Sequence, residues 1–215
     1  VFDMSTSPAT GEYVKIVLIP DFENPLTLTE DITLYYDDMY VNNDPAVGSE
    51  PVQMMEDFEH ITLNHLGDDA DDSYTELVYN PDVSGVNLSP MCIHFNRDMD
   101  GVSWAGFWST LPSEIDVTEN KYVHVKVWKP RISELRFKLE GGAAGTLEIA
   151  SLYPQTKTEE WEDIVFDFSE LTGTYPTIAF LPDFEDPLTL TEDIDIYFDD
   201  IILNNDPNPI MPPAQ

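Results

Sequence analysis

Residues 11–45 of this chain, GEYVKIVLIPDFENPLTLTEDITLYYDDMYVNNDP, return as residues 173–207, GTYPTIAFLPDFEDPLTLTEDIDIYFDDIILNNDP, with 22 of 35 positions identical and no gap. Allowing two extra residues, the match extends upstream, where Val1-Phe2-Asp3-Met4-Ser5 corresponds to Val165-Phe166-Asp167-Phe168-Ser169. The offset is 162 residues, a domain length and not a solenoid unit. The repeat divides the chain. Residues 1–45 read as the C-terminal third, about three strands, of an upstream copy. Residues 46–54 (AVGSEPVQM) read as a linker, 55–207 as a complete module, and 208–215 (NPIMPPAQ) as a Pro-rich exit linker. The sequence opens at Val1 without an initiator methionine, as expected of a processed or excised segment. Three strands with apolar faces and no partner are poorly stable alone. Residues 1–45 are therefore expected either to reflect a cut in the chain or to complete a neighbouring copy by strand exchange.

Within 55–207 the apolar residues mostly recur every second position. In Lys121–Trp128, Val123, Val125 and Val127 fall on one face and Tyr122, His124, Lys126 and Trp128 on the other. Leu135–Leu139 and Thr146–Ile149 alternate in the same way. Further strands are predicted over 75–79, 91–95, 102–109, 161–168, 175–181 and 194–203, each bounded by Gly, Pro, Asn or Asp clusters. No stretch sustains a 3.6-residue period with caps, and only 55–66 is ambiguous. Many short strands with turn signals at this spacing predict an all-β jelly-roll or β-sandwich.

Charge excludes some functions. Asp plus Glu number 42 against 9 Lys plus Arg, a net of −33. Such a surface repels phosphate backbones and anionic headgroups, so no nucleic acid partner is expected. No apolar run approaches a membrane span, so no membrane insertion is expected either. Abundant carboxylates do suit a hard cation such as calcium. The lone Cys92 excludes an internal disulfide framework and reads as a small buried residue.

Two acids, Asp199 and Asp200, sit inside the apolar strand 195–203, where burial is costly unless they are paired or bind metal. First and last strands often lie side by side in sandwiches. Asp57 and Glu59, near the module's start, are therefore candidate co-ligands with Asp199 and Asp200 for a structural calcium; the alternative is solvent-facing acids at a strand end. Asn96–Gly101 resembles the opening of a calcium loop, but Phe107 stands where the bidentate Glu should be, so a turn is expected instead. The acidic runs 68–72 and 183–186 read as solvated charge.

Trp104 and Trp108 are predicted on one face of a strand with Phe107 on the other. If Phe107 points to the core, two tryptophans stand outside, and exposed aromatic platforms stack on sugar rings. The alternative is that both pack within the sheet. Trp128 could join that surface or pack beneath a loop, and Trp161 reads as structural. Catalysis finds little support: no Ser elbow, P-loop or dinucleotide glycine pattern occurs, and the four histidines lack metal-ligand spacing.

The succession of Glu56-Asp57-Phe58-Glu59, Asn80–Ser89 (NPDVSGVNLS), Lys126–Pro130 (KVWKP), Lys138-Leu139-Glu140, Trp161 with Val165–Ser169 (VFDFS), and Tyr197–Ile201 (YFDDI) resembles a known family. It is similar to the galactose-binding-like, carbohydrate-binding-module-type jelly rolls of secreted and surface proteins of Bacteroidetes. The resemblance covers essentially all of 55–207. It implies a calcium ion near the early Phe-Glu and the late Asp-Asp, carried here by Glu59 and Asp199 or Asp200, and it implies no fixed sugar site. The expectation is thus a non-catalytic, extracellular or cell-surface module that binds glycan with a structural calcium. The alternative is a structural repeat of a surface filament or adhesin, whose partners are neighbouring copies of the same repeat.

Overall fold

The computed structural model describes residues 53–58 and 71–212, all within one unit, Glu50–Gln215. Alternating sequence gives ten strands: β1 (Gln53–Glu56), β2 (Tyr74–Tyr79), β3 (Met91–Arg97), β4 (Phe107–Asp116), β5 (Tyr122–Trp128), β6 (Glu134–Gly142), β7 (Gly145–Ala150), β8 (Glu162–Asp167), β9 (Thr174–Phe184) and β10 (Ile194–Asn204). They form two antiparallel sheets. One has six strands in the order β2-β3-β10-β5-β8, with β1 also paired to β10, and the other runs β4-β9-β6-β7. This is an all-β jelly-roll sandwich. The first and last described strands lie side by side, β1 on β10. Among the described residues no helix is long and apolar enough to cross a membrane.

Period-two patterning fills the space between the sheets. Val123, Val125 and Val127 of β5, Leu135, Phe137 and Leu139 of β6, and Phe180 of β9 are all buried in one core. Phe180 meets Phe198 with ring centroids 5.3 Å apart at 78°, and Phe137 lies 5.4 Å from Phe166. The first of these pairs is edge-to-face and the second tilted at 43°, and aromatic contacts of this kind add to the area they bury. Trp161 is buried as expected, its indole N–H donating to the Asp82 carbonyl at 2.7 Å. Cys92 is buried and free.

One strand is displaced from its expected place. The sequence predicts 102–109, but pairing begins at Phe107 and continues to Asp116, through Pro112. Pro112 lacks an N–H, and an edge strand with a register irregularity tolerates it: β4 is the sheet edge, and its pairing with β9 shifts between Thr110 and Ile115. Residues 102–106 instead form a turn in which the Ala105 N–H donates to the Val102 carbonyl at 3.2 Å.

The run 183–186 corrects a second expectation. Asp183 is not solvated; it is fully buried at the end of β9. Arg131 donates to both of its oxygens, at 2.8 and 2.6 Å, Lys129 lies at 3.4 Å and Arg97 at 3.8 Å, and the Ser133 hydroxyl also bonds it. Three of the nine cations in the chain thus surround one carboxylate. Burial alone would push the Asp183 carboxyl up. Hydrogen bonds from Arg131, the charge of Lys129 and the bond from Ser133 outweigh it and hold the group below its ordinary value. Lys129 pays the complementary penalty, its ammonium drawn down by burial to about 8 despite Asp183.

Residues 1–45, and with them the strand-exchange expectation, lie outside the described residues. So does Glu59.

Candidate functional site

The outer face of the four-stranded sheet carries an open groove enclosing about 560 Å³. Sheet register builds it. Trp108 of β4 stands opposite Ala179 of β9, Ala179 opposite Lys138 of β6, and Lys138 opposite Glu148 of β7. With strands about 4.8 Å apart, this row crosses about 14 Å of sheet. The row beside it runs Thr110, Thr177, Glu140. Small residues at 177 and 179 leave the floor low between a tryptophan wall on β4 and a charged wall on β6 and β7. Leu181 continues the floor toward Trp104.

Phe107 is 1% exposed, whereas Trp104 and Trp108 are 56% and 45% exposed. The sequence expectation of two outward tryptophans around an inward Phe107 therefore matches the exposure, though Trp104 gets there by a turn and not by strand alternation. That turn is held from below. Buried Arg97 donates to the Val102 carbonyl at 2.5 Å, and Asp71 accepts from the Val102 N–H at 2.8 Å. Ser103 donates to Asp186 at 3.3 Å. Gly106 then lets the chain pass against β9, since a Cβ there would meet the Phe180 carbonyl oxygen at 2.2 Å. Only glycine permits so close an approach. Sequence reasoning missed Gly106 and the floor residues because their contribution is the absence of bulk, which no motif marks.

The charged wall is internally paired. Arg136 bonds Glu148 at 3.0 Å and Glu134 at 2.5 Å, Lys138 bonds Glu140 at 2.5 Å, and the Arg136 guanidinium lies 3.6 Å from the Phe184 ring centre. Paired in this way, two cations with three carboxylates, these groups can still donate to and accept from neutral hydroxyls.

Trp128 is placed elsewhere. It stands on the six-stranded sheet, where its ring packs edge-on against Tyr197 at 5.5 Å. Tyr197 in turn stacks on His94 at 5.2 Å. The structure does not bring Trp128 together with Trp104 and Trp108.

The candidate metal acids also separate. Pairing of β10 with β5 shifts between Asp199 and Ile202, and Asp200 has φ +44°. This bulge breaks the alternation. Asp199 is fully buried against Asn87, while Asp200 reaches Lys126 in an ion pair. The Asp199 carboxylate accepts from the Asn87 side-chain amide at 2.9 Å and from the Asp200 N–H at 2.8 Å. Burial first, then the charge of Asp200, pushes it up to about 7. Asp57 is half-buried. The neighbouring Glu56 is buried, its Oε1 accepting from the Asp57 and Phe58 N–H groups at 3.1 Å each, and it sits opposite Ile201 across the β1–β10 pair. Among the described residues no three His, Cys, Asp or Glu side chains converge as a ready-made cluster. Asp199 on β10 with Asn87 beside it, and Glu56 on the neighbouring β1, offer two buried carboxylates and an amide, oxygen chemistry of the kind calcium takes. Glu56 and Asn87 were in the sequence motifs but were not singled out; only the pairing of β1 with β10 separates Glu56 from its acidic neighbours.

No family model matches the sequence, and no curated protein sequence matches it. Among solved structures, the chain is similar to a variant of a family 29 carbohydrate-binding module at 9% identity, covering 73% of this chain and 86% of that one, with a TM-score of 0.46. It is similar to the family 11 module of a Clostridium thermocellum cellulosomal cellulase at 16% identity, covering 73% and 95%, with a TM-score of 0.44. It is also similar to a xylan-binding family 22 module from Paenibacillus barcinonensis at 11% identity, covering 73% and 96%, with a TM-score of 0.47. The chain is similar in fold to carbohydrate-binding modules.

Proposed function

We propose that the module is a non-catalytic carbohydrate-binding domain that takes a linear, neutral glycan in the groove of the four-stranded sheet. The observation that carries this reading is the pair of exposed tryptophans, Trp104 and Trp108, bordering a low floor of Thr177, Ala179 and Leu181. Indole faces suit the apolar faces of pyranose rings, and an open groove accepts the interior of a chain as well as its end. The net charge of −33 disfavours uronic acids and sulfated sugars. The groove's acids, Glu140 and Glu148, are engaged with Lys138 and Arg136, which suits hydroxyl recognition better than proton transfer. An extracellular or cell-surface setting accords with such a ligand.

A calcium ion at the β1–β10 corner belongs to the same proposal, with Glu56, Asn87 and Asp199 as its ligands. Its role would be structural: it would neutralise buried carboxylates and fix the first strand to the last.

The test is calorimetric titration of the full chain with linear β-1,4-linked hexasaccharides of glucose and of xylose. Saturable binding to either is expected, falling roughly tenfold or more in Trp104→Ala and in Trp108→Ala, as for aromatic anchors generally. Absence of binding across a broad neutral glycan panel, or binding that both variants leave intact, overturns the reading.

A further inference from the structure

The repeat allows the groove to be compared with its own second copy. Three residues of β9 line the floor, Thr177, Ala179 and Leu181. At the corresponding positions of the upstream copy the sequence has Lys15, Val17 and Ile19, so all three differ. The acids that brace the module do not: Asp183, Glu185, Asp199 and Asp200 correspond to Asp21, Glu23, Asp37 and Asp38. Core positions that differ exchange one apolar or aromatic residue for another, such as Phe180 for Leu18 and Phe198 for Tyr36. At two of the three floor positions the exchange changes size or charge, and at the third, Leu181 for Ile19, it changes only the branching. Valine for alanine adds bulk at the position flanked by Trp108 and Lys138, and lysine for threonine sets an ammonium opposite Glu140.

We infer that Thr177, Ala179 and Leu181 determine which glycan this groove accepts, and that the two copies were diversified there so as not to share a ligand. This rests on the reading of the groove as a sugar site. The physical basis is depth. A sugar ring stacked against Trp108 sits over Ala179, and a β-branched side chain at that point occupies the space the ring needs. Such a substitution is otherwise harmless, since β-branched residues suit a strand. A lysine at 177 would pair with Glu140 across the floor and narrow it further.

The experiment grafts the upstream floor onto the full chain as Thr177→Lys, Ala179→Val and Leu181→Ile together, with Ala179→Val alone as a second variant. Phe180→Leu serves as the comparison at a core position that also differs between copies. Calorimetry uses whichever of the two hexasaccharides the unaltered chain binds, and thermal melting follows the fold. The graft is expected to weaken binding roughly tenfold or more, the range for added methylenes in a fitted pocket, with melting preserved. Ala179→Val carries most of that loss, and Phe180→Leu changes melting more than affinity. Unchanged affinity in the folded graft overturns the inference while leaving the sugar site standing. If the unaltered chain binds neither hexasaccharide nor any glycan of a neutral panel, the sugar site itself fails.

Discussion

The two halves of β9 have been treated differently in the two copies of the repeat. Over 174–181, which alternates between groove floor and core, six of eight positions differ from the upstream copy. Over 182–194, which begins at the end of β9 with the buried carboxylate Asp183 and runs on to the start of β10, a single position of thirteen differs, Asp186 against Asn24. One strand therefore joins a variable face to a fixed anchor. The difference follows from what each half must satisfy. A floor open to solvent can change as long as the strand's inward residues stay apolar. A buried carboxylate held by three cations admits no single change, because each partner removed leaves the others unpaired in a poor solvent for charge.

The largest effect should come from breaking the anchor. Asp183→Ala strands Arg131, Lys129 and Arg97 without their common partner and is expected to cost roughly 3–5 kcal/mol of unfolding free energy. Urea denaturation at neutral pH measures it. A loss near the surface-substitution range would mean that Asp183 is not the fixed point the comparison makes it.

The β1–β10 corner tests whether a second buried acid is satisfied in a different way, by a metal and not by cationic side chains. Saturating calcium is expected to raise the unfolding free energy, by about 2.7 kcal/mol when its concentration is one hundred times Kd. Asp199→Asn should abolish that response. Without metal, the folded state holds a proton on Asp199 between its ordinary value of 3.8 and about 7. Stability contributed there is present at acid pH and lost as pH rises through about 7. In chelator, the unaltered chain should therefore weaken over that window and Asp199→Asn should not. Equal melting with calcium and with chelator would count against the site.

How much of this was legible in the sequence depended on whether a feature leaves a chemical mark. Strands with clean alternation, such as 121–128 and 135–139, were readable because a half-buried strand is a pattern of period two. The tryptophans were readable as outward candidates from their parity with Phe107. Asp199 and Asp200 could be flagged but not told apart, because a bulge with Asp200 at φ +44° reverses the parity that alternation assumes. Asp183 looked like one acid among 42, since its cations lie at positions 97, 129 and 131 and converge only through the topology. Ala179 and Gly106 were invisible: a floor is made by what is missing.

A smaller effect concerns His124, which lies on the outer face of the six-stranded sheet. Its Nδ1 faces Asp163 Oδ2 at 2.8 Å and its Nε2 faces the Asp206 carbonyl at 2.9 Å, two acceptors that favour the imidazolium, which donates from both nitrogens. Burial opposes that charge, but the hydrogen bond and charge of Asp163, with the Asp206 carbonyl and Asn204, outweigh it and raise the pKa above 6.5. Stability from this contact is therefore full below 6.5 and lost as pH rises through the raised value. His124→Gln should flatten that decline, read by denaturation at a series of pH values, and a ring titrating at or below 6.5 by NMR would refute the assignment. Asp163 also accepts the Ile210 N–H at 2.7 Å, so amide exchange at Ile210 should quicken over the same pH window.

The smallest stability effect should belong to the groove. Trp108 is 45% exposed, and surface substitutions away from caps and buried networks usually stay within about 0.5 kcal/mol. Trp108→Ala should therefore denature nearly as the unaltered chain does while losing the glycan binding proposed for the groove. That dissociation is the sharpest form of the comparison along β9. If the fixed half carries stability and the open half carries recognition, Asp183→Ala and Trp108→Ala should fall at opposite corners of a plot of stability against affinity. Arg97 is the one residue placed to blur the separation, because it reaches Asp183 at 3.8 Å and the Val102 carbonyl beneath the Trp104 turn at 2.5 Å. Arg97→Met should move both coordinates, lowering stability and loosening the turn that presents Trp104. Should Trp108→Ala instead lower stability as Asp183→Ala does, the tryptophan would be part of the sheet's packing, and the open half of β9 would have no binding role to explain why it varies.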